Sequence, residues 1–266
     1  MAEKANAVLI TGGSSGIGRE LARLFAADGV PLVLVARGAA ELARTAAELT
    51  RTHQVDVMTI AADLSVPAEI ERLVERIRAG GIEVEVLVNN AGFGGGGPFA
   101  RSRLADDIGM IAVNVSAVTH LTRLLLPAML ERGHGRILNV GSTAGFQPGP
   151  FMAVYYATKA YLLSFSEALA EELAGTGVTV TTLCPGPTET GFAKRAGILT
   201  TRLFRSATLM SAAEVARAGH AGVLRGDRLV VPGLVNKVVS QAGRVVPRRL
   251  LARVAAKLNR GRTPEG

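Results

Sequence analysis

Short apolar runs and longer amphipathic stretches alternate along most of the chain. The runs fall at 7–11, 32–36, 55–61, 84–89, 136–141, 178–184 and 228–231, and helical spacing fills 17–28, 39–52, 67–79, 102–131, 152–175 and 211–224. Strands buried on both faces read as continuous apolar runs. Their interleaving with helices predicts an α/β fold built on a doubly wound parallel sheet of about seven strands. No linker interrupts the pattern, and 266 residues suit a single domain. The expected organisation is one sheet-bearing domain over 1–232, with 233–266 as a helical extension of it.

In such sheets ligands bind beyond the carboxyl ends of the strands. Thr11, Arg37, Asp63, Asn90, Ser142 and Cys184 all fall at predicted strand ends. The first run leads directly into Gly12-Gly13-Ser14-Ser15-Gly16-Ile17-Gly18 and then a helix. Strand, glycine loop and helix N-terminus make a pyrophosphate site, because glycines admit the phosphates to the backbone and the free N–H groups favour negative charge. Gly12, Gly16 and Gly18 give G-x-x-x-G-x-G in place of the G-x-G-x-x-G fingerprint, within a sheet expected to be Rossmann-type. Arg37 ends the second strand where an acid would bind the ribose of NAD, so a 2′-phosphate contact, and hence NADP(H), is expected. The first downstream acid, Glu41, falls on the next predicted helix.

The chemistry is carried by Tyr155 and Lys159, one helical turn apart, with Ser142 upstream. Residues i and i+4 share a helix face, so the Lys159 ammonium is expected to favour the Tyr155 phenolate and make the phenol a usable acid/base. Tyr156 points about 100° away on the same helix and is expected to pack or to line the substrate pocket. Tyr161 reads as structural.

Together these residues resemble the short-chain dehydrogenase/reductase family, in order from Ile10 to about Thr190. Thr11-Gly12 through Gly18 looks like the family's cofactor loop, with Ser14, Ser15, Gly16 and Ile17 inside it. Asp63 and Leu64 look like its adenine contact, and Asn89-Asn90-Ala91-Gly92 like its fourth-strand motif. Asn114, Ser142, Tyr155 and Lys159 look like its catalytic four, and Pro185-Gly186-Pro187-Thr188 like the segment closing over the nicotinamide. Gly141 and Gly38 depart from common family choices, and Gly38 loosens the expected NADP preference. The resemblance implies hydride transfer between nicotinamide and a ketone/secondary alcohol pair, with Tyr155 as acid/base, Ser142 holding the carbonyl oxygen, Lys159 binding the ribose, and Asn114 holding a water beside the lysine. It also implies a homodimer or homotetramer formed through the helices near 102–131 and 152–175.

Composition changes this picture mainly at the C-terminus. The net charge is +8, and residues 225–266 carry ten basic and two acidic residues, so the remainder is neutral. Leu250, Leu251, Val254 and Leu258 share one predicted helical face, opposite Arg249, Arg253, Lys257 and Arg260. Docking of that helix on the body or on a partner subunit is the expected role, with peripheral contact to an anionic membrane as the alternative. The tail lacks aromatic residues and any binding motif for nucleic acid, and none is expected as a partner. The single Cys184 forms no intramolecular disulfide and reads as a buried, inert thiol. The four histidines lack metal spacing, and no metal is expected. The first residues lead straight into a strand, which points to a cytoplasmic enzyme; the uncharged stretch 137–158 is broken by glycines, prolines, Ser142 and Gln147.

The pocket is expected from 93–99, 145–152 and 191–210, where Phe93, Phe146, Phe151, Phe192, Ile198 and Leu199 favour an apolar carbonyl substrate. The glycine run at 94–97 reads equally well as a mobile loop. Lys194, Arg195, Arg202 and Arg205 are available to an acidic group. Against this oxidoreductase stand a non-catalytic NADP(H)-binding sensor or scaffold, and a membrane-recruited reductase of lipid-like substrates.

Overall fold

The computed structural model describes residues 5–206 and 209–260. Met1–Lys4, Arg262 and Glu265 lie outside these residues, as do the side chains of Arg205 and Arg244.

The first half of the chain alternates strictly. Strands β1 (Ala5–Thr11), β2 (Leu32–Ala36), β3 (Val57–Ala61) and β4 (Ile82–Asn89) are separated by helices α1 (Gly16–Ala27), α2 (Ala39–His53) and α3 (Pro67–Ala79). Helix α4 (Leu104–Ile111) continues through a π turn (Ala112–Ser116) into α5 (Ala117–Arg132), and β5 (Gly135–Val140), a 3₁₀ turn (Thr143–Phe146), α6 (Ala153–Glu172) and β6 (Val178–Leu183) follow. A small pair, β7 (Thr188–Glu189) with β8 (Met210–Ser211), brackets α7 (Phe192–Arg195) and α8 (Arg202–Ser206). Helix α9 (Ala212–Arg225) leads to β9 (Leu229–Val230), and α10 (Leu234–Val245) and α11 (Arg248–Asn259) end the described chain.

The main sheet has seven parallel strands in the order β3-β2-β1-β4-β5-β6-β9. This is the expected doubly wound sheet, and its direction of growth reverses between β1 and β4, which opens a crevice at their carboxyl ends. One core layer packs Ile70, Leu73, Leu121 and Leu125 against the strands, and the other packs Leu21, Phe25, Leu42 and Val215. A third, smaller cluster of Met110, Met152, Tyr155, Tyr156 and Ile198 sits beyond the strand ends. The two large layers fix the sheet, and the third forms the site.

Three expectations change. The helix expected at 102–131 contains the π turn, which places Asn114 on its buried side; such single-turn widenings accompany functional side chains. The stretch 137–158 is strand, 3₁₀ turn and helix start, whereas among the described residues the helix long and apolar enough to cross a membrane is Leu104–Arg132, where Met110, Val118, Leu121 and Met129 are buried in the fold. The C-terminal extension, expected as one basic helix, forms two among its described residues.

Candidate active site

A cavity of about 540 Å³ opens at the switch point, and its wall includes the glycine loop, Arg37, Asp63, Asn90, Ser142, Tyr155, Lys159 and Gly186. Ser14, Ser15, Gly16, Ile17, Leu64, Ala91, Gly92, Pro185 and Thr188 also line it, so the expected cofactor segments converge. Gly18 and Asn114 stand just behind this wall.

The glycine loop is held from below. Thr11 Oγ1 donates to the Val88 carbonyl at 3.2 Å and accepts from the N–H groups of Asn90 and Ala91, each at 3.0 Å. The Asn90 amide donates to the carbonyls of Thr11 and Gly12 at 2.9 and 3.3 Å. Gly12 has φ +66°, and a Cβ on Gly18 would stand 2.3 Å from Asn90 Nδ2 and 2.4 Å from the Gly12 carbonyl oxygen. Only glycine fits that approach. Helix α1 starts at Gly16 with no side-chain cap from Ser15, which leaves its first N–H groups facing the cavity for an anion. At the far end Arg37 is exposed, and Glu41 shares the wall. Hydrogen bonds from the Ser65 backbone and hydroxyl hold the Asp63 carboxyl below its usual range, with the Arg37 charge adding to them. Loop, helix terminus and flanking charges therefore fit a dinucleotide.

Tyr155 and Lys159 lie on the first turns of α6, and Ser142 caps the 3₁₀ turn that faces them. The Ser142 hydroxyl accepts from the Ala144 N–H at 3.1 Å, approaches the Pro185 carbonyl at 3.4 Å, and bonds the Tyr155 phenol. Lys159 Nζ donates to the Val140 carbonyl at 2.7 Å and lies 5.9 Å from the Tyr155 ring centre. Asn114 Oδ1 accepts from the Phe93 N–H at 3.1 Å, and its Nδ2 donates to the Phe93 carbonyl at 2.9 Å and to Thr158 Oγ1 at 3.1 Å. This ties the loop after β4 to the helix bearing Tyr155.

The charge states differ from the simple expectation. Burial pushes the Tyr155 phenol well above its ordinary value, and the Ser142 hydrogen bond draws it only partly back. Burial also lowers Lys159 to about 8. The lysine is spent on a backbone carbonyl, not on a phenolate, so the phenol keeps its proton near neutrality. Cys184, pushed up to about 12 mainly by burial, is the inert thiol expected.

Sequence reasoning missed the supports. Val140 acts through its carbonyl, which no side-chain motif reveals. Beneath the site Asn89 Nδ2 donates to Asn139 Oδ1 at 2.9 Å, and Asn139 Nδ2 to Ser166 Oγ at 2.8 Å, pinning α6 to the sheet. Polar residues inside otherwise apolar strand patterns were the available signal. The glycine run is a seat and not a free loop, because a Cβ on Gly94 or Gly96 would stand 2.6 Å from Phe192 or 2.4 Å from Ile198. Phe192 and Ile198 thereby reach the cavity with Phe93, while Leu199 is exposed. Tyr156 lines the cavity, and its hydroxyl bonds Asn259 of α11 at 3.3 Å. Arg195 reaches the wall; Lys194 and Arg202 do not.

Comparison with known proteins agrees with the geometry. A family model described as short chain dehydrogenase matches residues 6–199. A putative ketoacyl reductase of Streptomyces coelicolor is 40% identical over 195 residues, 72% of this chain and 74% of that protein. A ketoacyl reductase of Nostoc is 38% identical over 67% of this chain and 62% of its own, so the match spans less than two thirds of that relative. A short-chain dehydrogenase from Sphingobium yanoikuyae, solved in complex with NADPH, superposes with TM-score 0.81 at 32% identity over 98% of this chain and 99% of that one. A short-chain dehydrogenase/reductase from Burkholderia phymatum, solved with NAD, covers 100% of both chains with TM-score 0.80 at 28% identity.

Proposed function

The chain belongs to the short-chain dehydrogenase/reductase family, and from that membership we propose an NADP(H)-dependent reductase of ketones with apolar substituents. One observation carries the reading: the phenol of Tyr155, the hydroxyl of Ser142 and the ammonium of Lys159 share one cavity wall with the glycine loop.

The glycine-loop N–H groups and the α1 N-terminus bind the pyrophosphate, Arg37 the 2′-phosphate, and Asp63 with Leu64 the adenine. Asn90, Ala91, Gly92, Pro185, Gly186 and Thr188 frame the other end. Reduced nicotinamide, when bound, supplies hydride to the carbonyl carbon. Tyr155 gives its proton to the carbonyl oxygen as the alkoxide develops, and Ser142 hydrogen-bonds the same oxygen. A phenol held protonated by burial is suited to donate, which favours reduction near neutral pH. Lys159 holds the ribose and hands a proton back to Tyr155, and Asn114 holds the loop and a water beside the lysine. Phe93, Met152, Phe192, Ile198 and Phe204 line the substrate end of the cavity. An oxoacyl chain, the substrate type in the names of the ketoacyl reductases, meets both demands, with a carbonyl for Tyr155 and an apolar tail for the lid.

The test is titration with NADPH and NADH for wild type, Arg37→Ala and Tyr155→Phe, followed by turnover of apolar ketones of graded chain length. NADPH should bind more tightly than NADH, Arg37→Ala should erase the difference, and Tyr155→Phe should bind normally while turnover falls at least 10²-fold. Equal binding of both nucleotides by wild type removes the role of Arg37; near-normal turnover by Tyr155→Phe removes that of the phenol.

A further inference from the structure

Helix α10 is amphipathic in the reverse sense. Its inward side is small or polar: Ser240 is 2% exposed, a Cβ on Gly243 would stand 2.7 Å from the Phe146 carbonyl oxygen, and one on Gly186 would stand 2.3 Å from Asn236 Oδ1. Its outward side carries Leu234, Val235 and Val238, exposed at 81, 75 and 71%. These positions, with Val239, share one helical face. A face of large aliphatic side chains turned to water costs free energy unless something covers it.

The surrounding charge identifies the occupant. Lys237 stands on the same helix, and Arg248, Arg249 and Arg253 are exposed on α11 just beyond it. Among the described residues no acidic side chain pairs with any of these four. A second copy seated symmetrically on this face would bring the basic segment against itself, and like charges would oppose the contact. A protein partner would have to present an acidic rim to these four cations around an apolar centre, whereas an anionic bilayer offers negative charge and hydrocarbon over its whole surface. Aliphatic side chains flanked by unpaired cations match the acyl boundary and headgroups of an anionic bilayer.

We infer that the outward face of α10 is a docking surface for an anionic lipid membrane, entered by Leu234, Val235 and Val238 and held by Lys237 and the basic start of α11. The surface is continuous with the cavity, because Val235 and Val239 also form part of its wall. A docked molecule therefore presents its substrate mouth to the lipid, and an apolar ketone passes from bilayer to site without crossing water. This last step rests on the proposed substrate class; the docking itself does not.

Co-sedimentation of the full chain with phosphatidylcholine vesicles, with and without about a quarter phosphatidylglycerol, tests the surface. Wild type should bind the anionic vesicles, weakly in high salt, and bind neutral ones at least tenfold less. The double variant Leu234→Asp, Val238→Asp, at two exposed positions outside the cavity wall, should lose anionic binding at least tenfold while turning over a short soluble ketone normally. Lys237→Gln should lose part of the binding without introducing a charge into the face, so a folding defect in the double variant leaves the test intact. Absence of vesicle binding by wild type overturns the inference, as does undiminished binding by both variants. Capture of an acidic carrier protein without vesicle binding, or a change in oligomer size with the double variant and no vesicle binding, likewise overturns it and assigns the face to that partner. Vesicle binding needs no turnover, so failure of the catalytic reading is scored separately.

Discussion

Lys159 is the side chain whose placement has the clearest consequence for stability. Its folded pKa lies at about 8 against an ordinary 10.5, because burial penalises the ammonium. Between those values the unfolded chain binds more protons than the folded one, so stability rises as pH rises. The penalty is fully present below pH 8 and relieved by about 10.5, and the shift corresponds to about 3 kcal/mol. Tyr155 and Tyr156 act in the opposite sense, since their raised values lower stability above pH 10. Urea unfolding of the ligand-free protein should therefore show wild type gaining on Lys159→Met from pH 8 to 10, the variant lacking that rise. Parallel curves would mean that the ammonium is solvated. The pairing of Tyr155 with Lys159 was legible because a helix fixes i to i+4. That the lysine hydrogen-bonds the Val140 carbonyl, and leaves the phenol protonated, depends on backbone direction and burial, which no spacing encodes.

Among elements, strands and their connecting helices were readable because one apolar period decides each. The segments over the site were not, since their patterns serve the cavity as well as the core. Helix α11 illustrates this. Of its expected apolar face Leu251 is buried and Leu258 half-buried at the cavity wall, Leu250 and Val254 stay exposed, and the contact also uses Ala255 and the polar Asn259. Asn259 accepts from the Tyr156 hydroxyl and donates to the Pro150 carbonyl at 3.0 Å, while Arg260 stacks 5.2 Å from the Phe151 ring. Phe151 holds φ +65°, a conformation costly for an aromatic residue unless its neighbours enforce it. The C-terminal helix thus braces the loop that leads into the catalytic helix. Asn259→Ala leaves the buried Tyr156 hydroxyl and the part-buried Pro150 carbonyl without this partner, and should cost about 1–3 kcal/mol in urea unfolding. It should also raise KM for apolar ketones several-fold with NADPH affinity unchanged. An unaltered KM would reduce α11 to a cover with no influence on the pocket.

At the scale of the molecule two apolar surfaces lie on different elements and call for different partners. The α10 face is ringed by basic residues, whereas α4 exposes Leu104, Ile108 and Ile111 at one-turn intervals. Helix α4 packs on α6, where Tyr161 stacks on Phe165 at 5.6 Å and shares a 2.8 Å hydrogen bond with Thr119. Around α4 charges of both signs occur, with Arg103 3.7 Å from Asp106, so self-association there meets no net repulsion. An isologous contact places a patch against its own copy, and a row of aliphatic residues with balanced charges tolerates that arrangement where the basic α10 face does not. A homodimer through α4 and α6 is therefore the expected solution state. Leu104→Asp with Ile108→Asp should convert it to monomer in sedimentation, because burying four new carboxylates at the shared interface carries a large desolvation cost. The same variant should still bind anionic vesicles, though more weakly, since a monomer brings one α10 face where a dimer brings two. A wild type that sediments as a monomer would contradict the dimer. Loss of vesicle binding beyond the effect of halved valency would mean that lipid and dimer share one surface, and would overturn the assignment of the α4 and α10 faces to different partners.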